Sequence, residues 1–146
     1  MLVREIMTEN PEVCTPETSL QEVARMMRDC DCGAIPVVEQ EGTRRAIGMI
    51  TDRDITIRII AEGRNPIELT VREAMTSDAI TVGADADIRE AARLMETRQL
   101  RRLLVTEDGS GVMGILAQAD IARSASEELV GELVEEISEP SHAGTH

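Results

Sequence analysis

The sequence of 146 residues contains no Phe, Tyr or Trp, although 42% of its residues are apolar. The core must therefore be built from Ile, Leu, Val, Met and Ala. The missing aromatic rings exclude a stacking platform for single-stranded nucleic acid and an aromatic cage for a quaternary ammonium ion. Basic residues are also few, since 15 Lys and Arg stand against 28 Asp and Glu, for a net charge of −13. This balance argues against nucleic-acid partners, because binding to a phosphate backbone depends on a basic face.

Cysteine, histidine and long apolar runs are equally scarce. Three cysteines, an odd number, do not make a disulfide framework and indicate a reducing cytoplasmic compartment. The only histidines, His142 and His146, lie in a Pro/Ser/Gly-rich tail, which excludes a histidine-based catalyst or metal site in the folded part. No run approaches the roughly 20 apolar residues of a membrane span, and the N-terminus lacks the pattern of a secretory signal. No catalytic motif is present, so we predict a protein that is not an enzyme, with no membrane partner.

What the sequence does contain is an internal repeat. The segment Val3-Arg4-Glu5-Ile6-Met7-Thr8 recurs 68 residues later as Val71-Arg72-Glu73-Ala74-Met75-Thr76. The same offset pairs Met27 with Met95, and after a two-residue deletion Asp54 pairs with Asp120. We therefore predict two copies of one unit at 1–66 and 69–125, an amphipathic C-terminal helix at 126–138 and a flexible tail at 139–146.

Each copy predicts the same order of elements: strand, helix, strand, strand, helix. The capping motifs Ser19-Leu20-Gln21-Glu22 and Asp87-Ile88-Arg89-Glu90 begin the first helices. Apolar runs separated by polar, glycine-containing turns predict hairpins, and a second helix follows each hairpin. The predicted strands lie near residues 13–14, 34–38, 46–50, 81–82, 103–105 and 112–116, and the second helices near 52–62, with Gly63 as a stop, and 118–124. The fold class is α+β, with two pseudo-symmetric units packed through their sheets.

The segment from Thr51 to Asp54, where a strand runs into a helix, is open to two interpretations. Its spacing is that of a capping box, which is common at helix starts and carries no function. The same junction suits a nucleotide, because backbone N–H groups and the Thr51 hydroxyl can bind phosphate while Asp54 accepts ribose hydroxyls. Arg53 and Arg58 lie near enough in sequence to supply positive charge.

The repeated Met-Thr opening, the strand Gly-Ala-Ile-Pro-Val-Val and the junction Gly-Met-Ile-Thr-Asp-Arg-Asp-Ile together resemble a tandem pair of cystathionine-β-synthase (CBS) domains. The resemblance covers nearly all of 1–125 and implies a stand-alone Bateman module. It implies a regulatory, non-catalytic protein that forms homodimers and senses AMP, ADP, ATP, S-adenosylmethionine or NAD in clefts between the units. It also implies signalling to an effector protein; a dimeric stress-response or interaction scaffold without a nucleotide is the alternative.

The resemblance also assigns site residues. Thr51 matches the phosphate ligand and Asp54 the ribose ligand, with Arg53 beside them. The adenine wall matches two segments of the first copy and the second copy's short strand: Cys14, Thr15, Pro16, Ala34, Ile35, Pro36 and Val82. The second copy keeps Asp120 but has Ala117 in place of the hydroxyl, and Leu104 and Ala84 in place of two prolines. We therefore expect the first site to be the better one, with Arg101 and Arg102 placed beside the second.

Two further features remain outside the site. Cys30 and Cys32 form an acidic Cys-x-Cys segment that suits a soft metal or a redox pair, but two thiolates are an incomplete zinc set. We favour small buried thiols there, and a core or pocket-wall position for Cys14. We expect the stripe of Leu129, Val130, Leu133, Val134 and Ile137 to pack back on the module or at a dimer interface, and the alternative is that it docks a regulated partner.

Overall fold

A computed structural model describes residues 1–107 and 111–138, with side chains described as far as residue 128. Its helices are α1 (Val3–Ile6), α2 (Leu20–Cys30), α3 (Asp52–Ile55), α4 (Ile88–Arg98) and α5 (Gln118–Ser138). Its strands are β1 (Thr8–Glu9), β2 (Ala34–Val38), β3 (Ala46–Thr51), β4 (Thr76–Ser77), β5 (Thr81–Gly83), β6 (Arg102–Glu107) and β7 (Gly111–Ala117). A π-helical turn, Thr56–Ile60, continues α3, and two 3-10 turns, Pro66–Glu68 and Val71–Glu73, precede β4. The α+β fold class is confirmed.

Local sequence signals explain where the main helices begin. Ser19 caps α2 by accepting a hydrogen bond from the Glu22 N–H at 3.1 Å. Asp87 caps α4 in the same position and accepts from the Arg89 N–H at 2.8 Å. Each cap satisfies a donor that the first helical turn leaves without a partner, which is why short polar residues begin helices.

The opening segment of each copy belongs to the sheet of the other copy. The first sheet has the order β2-β3-β4, and the second has the order β1-β7-β6-β5. Strand β1 therefore pairs with β7 of the second copy, while β4 pairs with β3 of the first. Val3 is fully buried in the core of the second unit, and Val71 in the core of the first. This exchange ties the two units together through both backbone ladders and both cores.

Two glycines make the exchange possible. Gly48 of β3 lies opposite Ser77 of β4, and Gly114 of β7 lies opposite Glu9 of β1. A Cβ atom at Gly114 would lie 2.7 Å from the carbonyl oxygen of Thr8, and one at Gly48 would overlap the corresponding carbonyl of β4. Only a residue without a side chain lets the exchanged strand approach so closely.

The two sheets meet face to face, as the resemblance implies. A third core cluster joins Ala34 and Met49 of the first sheet to Leu104 of the second, with Ala79 and Ile115 packed against it. Burial of these aliphatic side chains supplies the attraction between the units. The first predicted strand of copy one is reduced to a single parallel bridge between Cys14 and Val37, whereas β5 of copy two forms a full parallel strand.

The C-terminal segment departs from the sequence expectation. The prediction of a separate helix starting at Ser126 is wrong, because α5 runs without a break from Gln118 to Ser138. A serine followed by two glutamates at 126–128 is typical of a helix start, but neither glycine nor proline interrupts 118–128, so the helix continues through the serine. The apolar stripe of 129–137 lies outside the residues whose side chains are described, and the predicted flexible tail of 139–146 lies outside the described residues altogether.

Candidate ligand-binding cleft

A cleft of about 710 Å³ opens between the two units. The first unit contributes the end of β3 and the start of α3, and the second contributes the segments on either side of its first helix. Its lining comprises Met49, Thr51, Asp52, Arg53, Asp54, Thr76, Asp78, Ala79, Ile80, Gln99, Leu100, Arg101 and Arg102. This volume lies within the range of about 300–1,000 Å³ typical of small-molecule sites.

Thr51 and Asp54 form a reciprocal capping box on the cleft wall. The Thr51 hydroxyl oxygen accepts from the Asp54 N–H at 3.1 Å, and Asp54 Oδ2 accepts from the Thr51 N–H at 3.0 Å. The capping interpretation is therefore realised in the fold. Two groups of the pair remain outside this box. The Thr51 hydroxyl retains its proton as a donor, and Asp54 Oδ1 is an acceptor that lies 3.8 Å from Arg58 Nε.

Arginines give this part of an acidic protein a balanced charge. Arg53, Arg101 and Arg102 line the cleft together with three aspartates. The ion pairs formed among the side chains of residues 1–107 and 111–128 include none of these arginines. Arg102 is half-buried and the other two are exposed. Arginine side chains of this kind offer forked donors that fit phosphate or carboxylate oxygens.

The remaining wall is aliphatic. Met49, Ala79, Ile80 and Leu100 face the cleft, and Met49 and Ala79 also belong to the cluster that joins the sheets. An apolar face beside a few placed polar groups is the usual design of a small-molecule site. Without aromatic rings, a planar base would have to lie against side chains of this type.

Four of the predicted site residues lie on the cleft lining, and the others do not. Thr51, Arg53, Asp54 and Arg102 line the cleft. Arg102 was expected beside the second site, but it lines the same cleft as Thr51 and Asp54. The predicted adenine wall does not line this cleft: Cys14, Pro16, Ala34, Ile35, Pro36 and Val82 are buried, and Thr15 is half-buried.

The opposite side of the cleft comes from the second unit for a topological reason. Its lining residues there are Asp78–Ile80 and Gln99–Leu100, which sequence reasoning missed. The signal was present, because Asp78 directly follows the repeated Met-Thr segment that crosses to the first sheet. Arg58 is not on the lining; its Nη1 donates to the Met75 carbonyl at 2.9 Å and ties the helical segment to β4.

The equivalent junction in the second unit offers fewer polar groups to a ligand. Asp120 Oδ2 accepts from the Ala117 N–H at 2.9 Å, which repeats half of the capping box. Its Oδ1 pairs with Arg123, and Ala117 contributes no hydroxyl. A separate cavity of about 510 Å³ lies between α4 and α5 and shares Gln99, Leu100 and Arg101 with the cleft.

The cysteines also depart in part from expectation. Cys14 is a core residue, as predicted, and burial raises the pKa of its thiol to about 12. The prediction of buried thiols at Cys30 and Cys32 is wrong, because both residues are exposed and joined by a disulfide. Within residues 1–107 and 111–138, no group of three or more His, Cys, Asp or Glu side chains is placed to hold a metal ion. The same described residues include no helix long and apolar enough to span a membrane.

The fold and cleft together define a class of protein in which two pseudo-symmetric units exchange their first strands and enclose a ligand-sized space. The CBS domain family matches twice, at residues 3–61 and 71–127, and the chain therefore belongs to this family as a tandem pair. Pairs of CBS domains are regulatory ligand-binding modules.

Relatives of similar length support this assignment. Hypoxic response protein 1 of Mycobacterium tuberculosis is 34% identical over 137 residues, which cover 94% of each protein. The crystal structure of Hypoxic Response Protein I with two coordinated zinc ions has a TM-score of 0.72 at 34% identity, covering 84% of this chain and 98% of that one. The CBS domain pair of protein MJ0100, in complex with 5-methylthioadenosine and S-adenosyl-L-methionine, has a TM-score of 0.77 at 26% identity, covering 88% and 98%.

Proposed function

We propose that this protein is a regulatory sensor that binds an adenosine-containing ligand in the cleft between its CBS units. The candidates are AMP, ADP, ATP, S-adenosylmethionine and NAD. The observation that carries the proposal is the composition of the cleft, which combines the Thr51–Asp54 pair of the first unit with Arg102 and the aliphatic Ile80 and Leu100 of the second. The adenosine-type ligands of the MJ0100 pair, a relative with the same fold, point to the same ligand class.

Each part of an adenosine ligand has a matching surface. Asp54 Oδ1 is the acceptor for ribose hydroxyls, because Oδ2 already accepts from the Thr51 N–H. The Thr51 hydroxyl and the guanidinium of Arg102 are donors for a phosphate or carboxylate. Ile80 and Leu100 supply an aliphatic face for the base, whose burial is favourable without stacking.

The sensing mechanism follows from the origin of the two walls. Thr51 and Asp54 belong to the first unit, while Arg102 and Ile80 belong to the second. A ligand that contacts both walls stabilises one relative orientation of the units and shifts the population toward it. An effector protein would read that orientation. A homodimer and a cytoplasmic location are parts of this proposal that rest on the family resemblance and the sequence argument.

The first experiment is calorimetry of the purified protein with AMP, ATP and S-adenosylmethionine. Arg102→Ala removes a charge-assisted contact worth about 1.5–3 kcal/mol, so we expect about a 10- to 150-fold loss of affinity for a phosphate-bearing ligand. Arg98→Ala is the matched control, because Arg98 is exposed at the end of α4 and is not on the cleft lining. Equal losses in the two variants would assign the effect to net charge and contradict the proposed site.

An absorption spectrum offers a simpler test. The sequence has no Trp, Tyr or Phe, so the protein is almost transparent in the near ultraviolet. An adenine ligand retained through purification would dominate the spectrum and would disappear after unfolding and dialysis. Its identity then follows from mass spectrometry of the released small molecule.

The second candidate function is a dimeric interaction scaffold with no nucleotide. Two observations favour it: Thr51 and Asp54 already form a capping box within the protein, and Ile57, Ile60 and Ile67 are exposed by 43%, 52% and 58%. A thermal-shift panel separates the two functions, because a ligand that binds only the folded state raises the melting midpoint. If none of the adenosine ligands raises it, the scaffold is the better description.

A further inference from the structure

The disulfide between Cys30 and Cys32 stands at a sharp change of backbone direction. Helix α2 ends at Cys30, and Asp31 adopts the left-handed conformation with φ 53°. The Cys32 N–H then donates to the Met27 carbonyl at 3.0 Å, which closes the helix end. This turn brings the two Cα atoms to 5.3 Å, inside the range of about 4.4–6.8 Å that disulfides require.

The pair is open to solvent, unlike the third cysteine. Cys30 and Cys32 are both exposed, whereas only 3% of Cys14 is accessible. Thiol–disulfide exchange needs contact between a thiolate on one molecule and the disulfide of the other. The exposed pair meets the requirement of access, and Cys14 provides an internal reference within the same chain.

The local charge selects among reaction partners. Asp29 and Asp31 flank Cys30, and the C-terminal end of α2 adds a negative dipole. Arg28 pairs with Asp29 at 3.0 Å, while none of the ion pairs among the described residues includes Asp31. Negative charge beside the pair repels anionic disulfides and attracts cationic ones.

A short backbone path connects the pair to the cleft. Gly33 follows Cys32 directly, and its carbonyl accepts from the N–H of Asp52 at 3.0 Å. Asp52 is the first residue of α3 and a lining residue of the cleft. A Cβ at Gly33 would lie 2.9 Å from Asp52 Oδ2 and 3.0 Å from Arg102 Nη2, so a shift of this backbone disturbs two cleft residues.

We propose that Cys30 and Cys32 form a thiol–disulfide exchange site for low-molecular-weight disulfides, selective for cationic over anionic ones, whose redox state reaches Asp52 through the Gly33 carbonyl. One cysteine thiolate attacks the disulfide R–S–S–R, breaks its S–S bond and releases one thiol, R–SH, after protonation. The second cysteine thiolate attacks the protein sulfur of the mixed disulfide and releases the other. The protein pair loses two electrons, which the small disulfide gains.

The chemistry is tested on the full chain. The protein is reduced with dithiothreitol, desalted, mixed with doubly cationic cystamine or doubly anionic glutathione disulfide, quenched with acid and analysed by mass spectrometry. We expect closure between Cys30 and Cys32 with Cys14 unmodified, and cystamine faster on the order of tenfold at low salt, with the ratio falling in 1 M salt. The single variants Cys30→Ser and Cys32→Ser should each hold a mixed disulfide on the remaining cysteine.

Two outcomes overturn the exchange site. If Cys30 and Cys32 react no faster than Cys14, the pair is not an exchange site. If salt does not change the ratio of the cystamine rate to the glutathione disulfide rate, the charge selectivity is refuted. Because these readouts need no nucleotide, they stand or fall independently of the proposed ligand.

The connection to the cleft has its own measurement. Amide hydrogen exchange by NMR should be faster at Asp52 in the reduced protein than in the oxidised protein, since reduction loosens the turn that holds Gly33. The matched control is the Gln118 N–H, which donates to the Arg101 carbonyl at 2.8 Å in the equivalent place of the second unit. Equal exchange at Asp52 in both redox states, or an equal change at Gln118, overturns the connection. The Cys30→Ser/Cys32→Ser variant should not respond to dithiothreitol at either amide.

Discussion

Asp54 performs two tasks that its counterpart Asp120 allows to be separated. Both carboxylates accept from the backbone N–H three residues earlier, at 3.0 Å from Thr51 and at 2.9 Å from Ala117. Only Asp54 lines the cleft. The substitutions Asp54→Ala and Asp120→Ala therefore remove similar local contacts, but only the first removes a proposed ribose ligand.

The magnitudes follow from these contacts. Loss of a capping side chain costs about 1 kcal/mol of unfolding free energy, which lowers the melting midpoint by roughly 2–8 °C for a domain of this size range. We expect both variants to show this loss without ligand. For ligand binding, loss of hydrogen bonds to the charged Asp54 carboxylate removes about 1.5–3 kcal/mol, or about 10- to 150-fold in affinity, while Asp120→Ala stays within roughly threefold.

Calorimetry with the best ligand of the adenosine panel measures the affinities, and thermal shift gives an independent check. At a ligand concentration of about 100 Kd the wild-type protein gains about 2.7 kcal/mol, and a thirtyfold weaker variant gains only about 0.9 kcal/mol. Unchanged affinity in Asp54→Ala would refute the assignment of the ribose ligand. Equal weakening in Asp54→Ala and Asp120→Ala would show that the effect is structural.

Three further predictions concern the fold. Gly48→Ala and Gly114→Ala should each cost about 1–3 kcal/mol in urea unfolding, because the new methyl group meets the carbonyl of the exchanged strand; two curves matching wild type would contradict the close approach. Cys14, with its pKa raised to about 12 by burial, should resist iodoacetamide at pH 8 until the protein unfolds, as read by peptide mass. The side-chain hydrogen bond from Arg89 lowers the pKa of Asp87 to about 2, so its stabilising effect is complete above the ordinary carboxyl pKa of 3.8 and fades as the pH falls toward 2. The stability advantage over Asp87→Ala should narrow across that interval in acid titrations followed by circular dichroism.

Much of the local structure follows directly from residue patterns. Ser19 and Asp87 identify the starts of α2 and α4, because short polar side chains cap helices in a way that neighbouring residues decide. The strand at Ala34–Val38 has the predicted bounds, since a short run of buried apolar residues between polar turns has few other solutions. Ser126 shows the limit of such reasoning, because a segment typical of a helix start does not interrupt a helix that already covers it.

The candidate site likewise has one part that the sequence predicts and one part that depends on the fold. The Thr51–Asp54 capping box depends on residues three apart and was visible in the sequence. The opposite wall, Asp78–Ile80 with Gln99 and Leu100, depends on contacts between residues far apart in the chain. Residue spacing within one copy does not reveal which segments of the other copy line the opposite side of the cleft.

By itself, the sequence determined the two repeated units, the helix–strand–strand–helix order that they share, the aliphatic core and the chemistry of the Thr51–Asp54 junction. Each of these depends on residue type and on neighbours within a few positions. Only the tertiary structure decided that β1 and β4 cross to the opposite sheets, that Arg102 lines the same cleft as Thr51 and that Cys30 and Cys32 are exposed and bonded. These outcomes depend on how two nearly equivalent units satisfy their sheet edges and apolar faces together, and that balance is settled only when the whole chain packs.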